Sequence, residues 1–168
     1  MTKFWYALHV KPHKELSVYR LLLAQEAEVF FPSLQVKPVN PRSAKERAYF
    51  PGYLFVRADL VTEGMDAYRW LPGAHGLVKV GGETAVVQEA LIVELKAQLQ
   101  KIQATGGLNM TEIQTGDRVR ITEGPFAGYD AIFDAYLPGN QRVQVLLAFL
   151  SSQPQPVKLD PRTIRKLK

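Results

Sequence analysis

AYFPGYLFVRADL, residues 48–60, places two signals side by side that a strand normally keeps apart. Tyr53 to Val56 is as aromatic and β-branched as a central strand, yet it follows Phe50-Pro51-Gly52, a Pro-Gly turn flanked by aromatics. Strand alternation sends successive side chains to opposite faces, so Tyr49, Phe50, Tyr53 and Phe55 cannot all be buried on one side of a sheet. The stretch predicts a third strand entered through a turn with an aromatic surplus.

Upstream, residues 3–10 carry an apolar residue at nearly every position and predict a first strand buried on both faces. After Pro12 the apolar residues Leu16, Tyr19, Leu22 and Leu23 fall at helical spacing, which predicts a helix over 13–27. VFFPSLQV, residues 29–36, reads as a second strand that Pro32 bends or confines to an edge. KPVNPRSAKER, residues 37–47, reads as a basic hairpin tip or loop. Downstream, MDAYRWL at 65–71 predicts a short helix stopped by Pro72-Gly73, and LVKV at 77–80 a fourth strand closed by Gly81-Gly82. Leu91, Ile92, Leu95, Leu99 and Ile102 predict a helix over 89–104. This order predicts an α+β unit with one antiparallel sheet and flanking helices, in a ferredoxin-like arrangement.

At 168 residues the chain has room for one ordinary domain or two small ones. Its 46% hydrophobic and 22% charged content places it among globular proteins. Cysteine is absent, which excludes disulfides and thiolate metal sites. His9, His13 and His75 stand at no metal-ligand spacing, so neither metal nor cofactor is expected. The N-terminus alternates like a strand and lacks a signal-peptide core, and no apolar run suggests a spanning segment, so a monomer in the cytosol, away from membranes, is expected. A net charge of +5 favours polyanionic partners.

Residues 105–113 read as a linker that divides the chain into units 1–104 and 114–168. RVRIT, DAIFDAY, RVQVLLAFL and PVKLD, parted by Gly and Pro turns, predict a small SH3-like β-barrel. Val143–Gln153 also admits a helical hairpin, with Leu146, Leu147, Phe149 and Leu150 on one face, although β-branched and alternating residues favour strands.

TGDRVRITEGPFAGYDAIF, residues 115–133, matches the KOW motif at Gly116, Asp117, Val119, Ile121, Gly124, Phe126 and Gly128. With Trp5-Tyr6, the Phe50–Val56 segment and Pro72-Gly73 followed by Gly76, Val78 and Gly81-Gly82, the chain closely resembles the NusG family of transcription elongation factors along its whole length. The resemblance implies an NGN domain whose concave apolar patch docks on the clamp helices of the largest RNA polymerase subunit and so suppresses pausing. Phe50, Tyr53 and Phe55 match that patch, with Val80, Ile92 and Leu95 at its edges. For Val80 and Leu95 a plain core role is an equal reading. The resemblance also implies a C-terminal domain that recruits a small-subunit ribosomal protein or Rho, through Pro125, Phe126, Ala127 and Ile132 here, with Phe126 equally placed to plug the barrel core.

Within the family, the ITEG and AIF segments resemble the operon-specific RfaH-like type, whereas Gly124-Pro125-Phe126 and Val157–Asp160 resemble the general type. Specialised relatives read the non-template DNA strand through a basic face. Here that face would comprise Lys11, His13, Lys14 and Arg20, joined by Arg42, Lys45 and Arg47 of the loop, and a merely solvated helix face is an equal reading. Some specialised relatives also hide the aromatic patch beneath a helical C-terminal domain, latched by an ion pair. Here the acidic position is Arg47 while Arg142 keeps the basic one, so that latch is not expected, with only Glu46 nearby to replace it.

The competing reading is a KOW-type RNA-binding protein of the ribosome, held by phosphate contacts. An enzyme ranks third, since no nucleophile elbow, phosphate loop or clustered acid pair is present.

Overall fold

The computed structural model describes residues 3–35, 46–64, 66–104, 126–134 and 137–152. The expected order of elements is present and finer than the sequence suggested. Strand β1 (Phe4–Val10) is followed by helix α1 (Glu15–Ala24), then β2 (Glu28–Phe30), β3 (Ser33–Gln35), β4 (Glu46–Ala48) and β5 (Tyr53–Ala58). Two short helices, α2 (Leu60–Glu63) and α3 (Asp66–Arg69), precede β6 (Ala74–Leu77), β7 (Lys79–Val80), β8 (Glu83–Thr84) and β9 (Val86–Val87). Helix α4 (Glu89–Ala104) closes this unit, and helix α5 (Gly139–Ser152) follows a 3₁₀ turn at Asp130–Phe133.

The main sheet has the order β2-β5-β1-β6, with β9 also paired to β1, and all these pairings are antiparallel. Alternation along β1 divides the core in two. Tyr6, Leu8 and Val10 pack with Val18 and Leu22 of α1 on one face, while Trp5 and Ala7 join Leu91, Ile92 and Leu95 of α4 on the other. Burial on both faces is the reason β1 has no polar alternation.

Several boundaries differ from expectation for local reasons. Pro32 splits the second strand: β2 pairs with β5, and β3 turns away to pair with β4. The third strand stops at Ala58 because Asp59 caps α2, accepting from the Val61 N–H at 3.1 Å while Glu63 accepts from the Asp59 N–H at 2.8 Å. The fourth strand lies at Ala74–Leu77 and breaks at Val78.

The largest departure concerns residues 126–134 and 137–152, where the helical alternative and not the favoured strands is observed. Residues 139–152 form a helix and 130–133 a 3₁₀ turn, so RVQVLLAFL and DAIF are not barrel strands in this state. The Gly-Asp and aliphatic half of the KOW motif, the PVKLD strand and the linker lie outside the described residues. Arg142, Leu146, Phe149 and Leu150, at spacings of four, three and one, are the buried residues of α5. Burying each apolar one contributes about 1.5–3 kcal/mol, against a strand preference spanning about 1 kcal/mol. Tertiary burial outweighs local propensity.

Candidate functional site

The opening turn closes with the Tyr53 N–H donating to the Phe50 carbonyl at 3.0 Å, across Pro51 and a Gly52 at φ 87°. It is tied down on two sides. The Val10 N–H donates to the Gly52 carbonyl at 2.8 Å, and the Gly52 N–H donates to the Glu15 carboxylate at 3.2 Å. Tyr53 and Phe55 then project to the β1 face that carries Trp5 and Ala7, and Phe50 stands edge-on to both Tyr49 and Phe55, with centroids 5.0 and 6.0 Å away. With Leu91, Ile92 and Leu95 of α4 they form an apolar groove between the turn and the helix.

Helix α5 and the turn before it belong to the same apolar cluster. Leu146, Phe149 and Leu150, with Phe126, Ile132 and Phe133, pack into one core with Phe50, Phe55, Ile92 and Leu95. Phe50 and Phe55 are 0% exposed. The aromatic surplus is thus buried without violating alternation, because the chain's own C-terminal segment roofs the groove. Gln98 of α4 donates to the Phe133 carbonyl at 3.1 Å, and Tyr129 and Phe126 pack their rings on Phe149.

Arg142 lies in the seam at 5% exposure. Its guanidinium sits 4.2 Å from the Tyr49 ring centroid, and its N–H groups donate to the carbonyls of Tyr49 at 2.9 Å, Asp134 at 3.3 Å and Leu137. Burial lowers its pKa, while Tyr49 and Asp134 act in the opposite direction and Arg47 adds to the lowering. The two arginines do not pair, as expected. Helix α5 is nevertheless held against the turn, where carbonyls and a π face accept the cation in place of a carboxylate.

At the open end of the groove, His9 stacks on Tyr53 at 4.8 Å and its ring centroid is 4.6 Å from that of His75. These rings, with Val78, Lys79, Val80, Leu147 and Ser151, line a cavity of about 590 Å³. Burial first, then the neighbouring His75, lowers the His9 pKa. The histidine pair was not legible from spacing, since β1 and β6 bring it together through the Leu8↔Leu77 register. Among the described residues no group of three or more His, Cys, Asp or Glu is placed to hold a metal.

The expected site residues separate into distinct regions. Phe50, Phe55, Ile92 and Leu95 meet in the groove, Tyr53 is half-buried beside it, and Val80 stands at the cavity rim. Lys11, His13, Lys14 and Arg20 are exposed around the start of α1. Arg47 does not join them: it lies on β4 and its field reaches Arg142, on the sheet face opposite α1. Arg42 and Lys45 lie outside the described residues. Of the C-terminal candidates, Phe126 and Ile132 are buried in the shared core, Ala127 is exposed, and Pro125 lies outside the described residues. Tyr49, Leu91, Phe133 and Phe149 complete the groove and its cover. The sequence marks Tyr49 in the aromatic turn, Leu91 in the apolar stripe of α4 and Phe149 on the helical face it allows with Leu146, Leu147 and Leu150, but joins none of them to the groove.

A family model described as transcription termination factor nusG matches residues 3–96, which holds the whole main sheet and the start of α4. The chain is 27% identical to the transcription termination/antitermination protein NusG of Thermus thermophilus, over 93% of this chain and 94% of that one. It is 23% identical to the Pseudomonas aeruginosa protein of the same name, over 99% and 100% of the two chains. A solved structure of domain interaction in Thermotoga maritima NusG is similar at TM-score 0.43 and 20% identity, over 76% of each chain. With more than half its length matched by the family model, the chain belongs to the NusG family of transcription termination and antitermination factors.

Proposed function

We propose that this chain is a transcription elongation and antitermination factor that docks on the coiled-coil clamp helices of the largest RNA polymerase subunit and suppresses pausing. Phe50, Tyr53, Phe55, Ile92 and Leu95 form the docking surface, with Val80 at its rim. The observation that carries this reading is α5. An amphipathic helix with anchors at 142, 146, 149 and 150 already lies in the groove, so the groove fits a helix by shape and polarity. A polymerase helix would take the place of α5, and its affinity for the more closed clamp would stabilise the elongating state.

Because α5 occupies the groove, docking requires its displacement, and apparent affinity falls by the fraction of chains that are open. This favours a specialised, recruited role over constant engagement. Lys11, His13, Lys14 and Arg20 form the face for the non-template strand, with Arg42, Lys45 and Arg47 as further cations beyond it. Once released, the C-terminal segment recruits a small-subunit ribosomal protein or Rho through Pro125, Phe126, Ala127 and Ile132, two of which the closed form buries.

Capture of purified RNA polymerase by the full chain tests this reading. The wild type should bind weakly, Phe149→Asp strongly because it ejects α5, and Phe149→Asp with Tyr53→Ala and Phe55→Ala not at all. Absence of binding by a folded Phe149→Asp variant would sink the proposal, and salt-sensitive binding to ribosomal RNA instead would favour the ribosomal reading.

A further inference from the structure

The turn Phe50-Pro51-Gly52-Tyr53 closes with the Tyr53 N–H on the Phe50 carbonyl at 3.0 Å, and Gly52, its third residue, has φ 87°. A positive φ at that position defines a type II turn. Types I and II share the closing bond and differ by a flip of the central peptide, here Pro51–Gly52, so the closing bond does not choose between them. The N–H of that peptide belongs to Gly52, and it donates to the Glu15 carboxylate at 3.2 Å. A flipped peptide would aim this N–H away from Glu15. The acceptor is itself held: Glu15 is half-buried and opens α1, where the helix terminus favours an anion.

We propose that Glu15 is a positioning residue of the docking groove, acting through the Gly52 N–H to hold the turn in the type II form that presents Phe50 and Tyr53. This rests on the reading of the groove as the polymerase-docking surface and adds to it a residue from outside the groove. Helix α1 packs with Tyr6, Leu8 and Val10 on one sheet face, whereas Phe50 and Phe55 join Trp5, Ala7 and α4 on the other. A helix lying in the groove therefore does not touch α1, and Glu15 acts on it only through the turn. The residues flanking the locked peptide carry the effect. Pro51 stands against the start of α5, where a Cβ on Gly139 would lie 2.7 Å from its ring, and Tyr53 leaves the turn stacked on His9 at 4.8 Å. In a turn free to flip, these anchors are misplaced for part of the time, and affinity for a partner helix falls by that fraction. A charged acceptor suits the task because its hydrogen bond is stronger than that of a neutral one.

The test is capture of purified RNA polymerase by the full chain carrying Phe149→Asp, so that α5 does not mask the groove, with hydrogen exchange of the Gly52 amide read in the same proteins. Adding Glu15→Ala should weaken capture about tenfold, the lower end for one hydrogen bond to a charged group, and speed exchange at Gly52. Glu15→Gln keeps an oxygen that can accept from the same N–H and should restore most of both. Val18→Ala loosens the packing of α1 without touching Gly52 and should change neither, which separates positioning of the turn from the general stability of the helix. Unchanged Gly52 exchange in Glu15→Ala, failure of Glu15→Gln to restore capture, or an equal loss in Val18→Ala would each overturn the positioning role. If the Phe149→Asp chain captured no polymerase, the docking reading would fall and this role with it. Capture by that chain left intact by Glu15→Ala would overturn the positioning role alone.

Discussion

Arg142 Nε donates to the main-chain carbonyl of Tyr49 at 2.9 Å, and the same guanidinium lies over the Tyr49 ring. The two residues are 93 positions apart, so this contact joins the C-terminal helix to the turn that shapes the groove. A charged donor meeting buried neutral acceptors makes a strong bond that no ion-pair pattern in the sequence would reveal.

Replacing Arg142 with Met keeps an unbranched apolar stem and removes every donor. The carbonyls of Tyr49, Asp134 and Leu137 lose those bonds, at a cost of about 1–3 kcal/mol per buried group left unmet. Arg142→Met should therefore speed amide hydrogen exchange throughout α5 while leaving β1 and β5 protected. Unchanged protection of α5 would mean that apolar packing alone holds it.

Gly139 begins α5 against the turn, where an added Cβ would lie 2.7 Å from the Pro51 ring atoms. A proline ring cannot rotate away, so Gly139→Val should weaken closure by about 1–3 kcal/mol without touching the groove floor. The expected result is stronger polymerase capture by the full chain. Wild-type capture with a repositioned α5 would show that the seam can adapt.

The Tyr49 hydroxyl is buried with no hydrogen-bond partner among the described residues. Burial also raises its pKa, the opposing field of Arg142 notwithstanding. Tyr49→Phe removes the orphaned hydroxyl and keeps the ring beneath Arg142, so thermal denaturation should show a gain of about 1 kcal/mol. A lower melting temperature would argue that the hydroxyl is satisfied in the working protein.

His9 has a lowered pKa in the fold, from burial and then from His75. The unfolded chain therefore binds this proton more readily. The contribution of neutral His9 is complete above the ordinary histidine value of about 6.5 and is lost as pH falls through the folded value. Stability should decline on acidification through this window, and His9→Phe, which retains an aromatic ring on Tyr53, should reduce the decline. Identical pH profiles for the two proteins would exclude His9 as the source.

Much of the first unit was legible because its signals are local. The two-sided apolar run of β1, the Pro-Gly turn before β5 and the helical spacing of α4 each report on their own neighbourhood. The groove residues Phe50, Tyr53, Phe55, Ile92 and Leu95 were identified from family resemblance, and the structure brings them together. Their cover was legible only as the helical alternative at Val143–Gln153, which the local signals ranked below strands. RVQVLLAFL carries both a strand-like alternation and a helical apolar face, and its local signals lean towards the strand that the structure does not form. The His9–His75 pair depends on strand register, which leaves no spacing to read.

By itself the sequence determined the order of strands and helices in residues 3–104, the position of the aromatic turn and the excess of apolar side chains around it, because propensity, periodicity and turn chemistry act over a few residues. Only the tertiary structure decided that residues 139–152 are helical and that they roof the groove. The physical reason is that strand propensity spans only about 1 kcal/mol per residue, while burying each of Leu146, Phe149 and Leu150 against a ready apolar surface contributes about 1.5–3 kcal/mol.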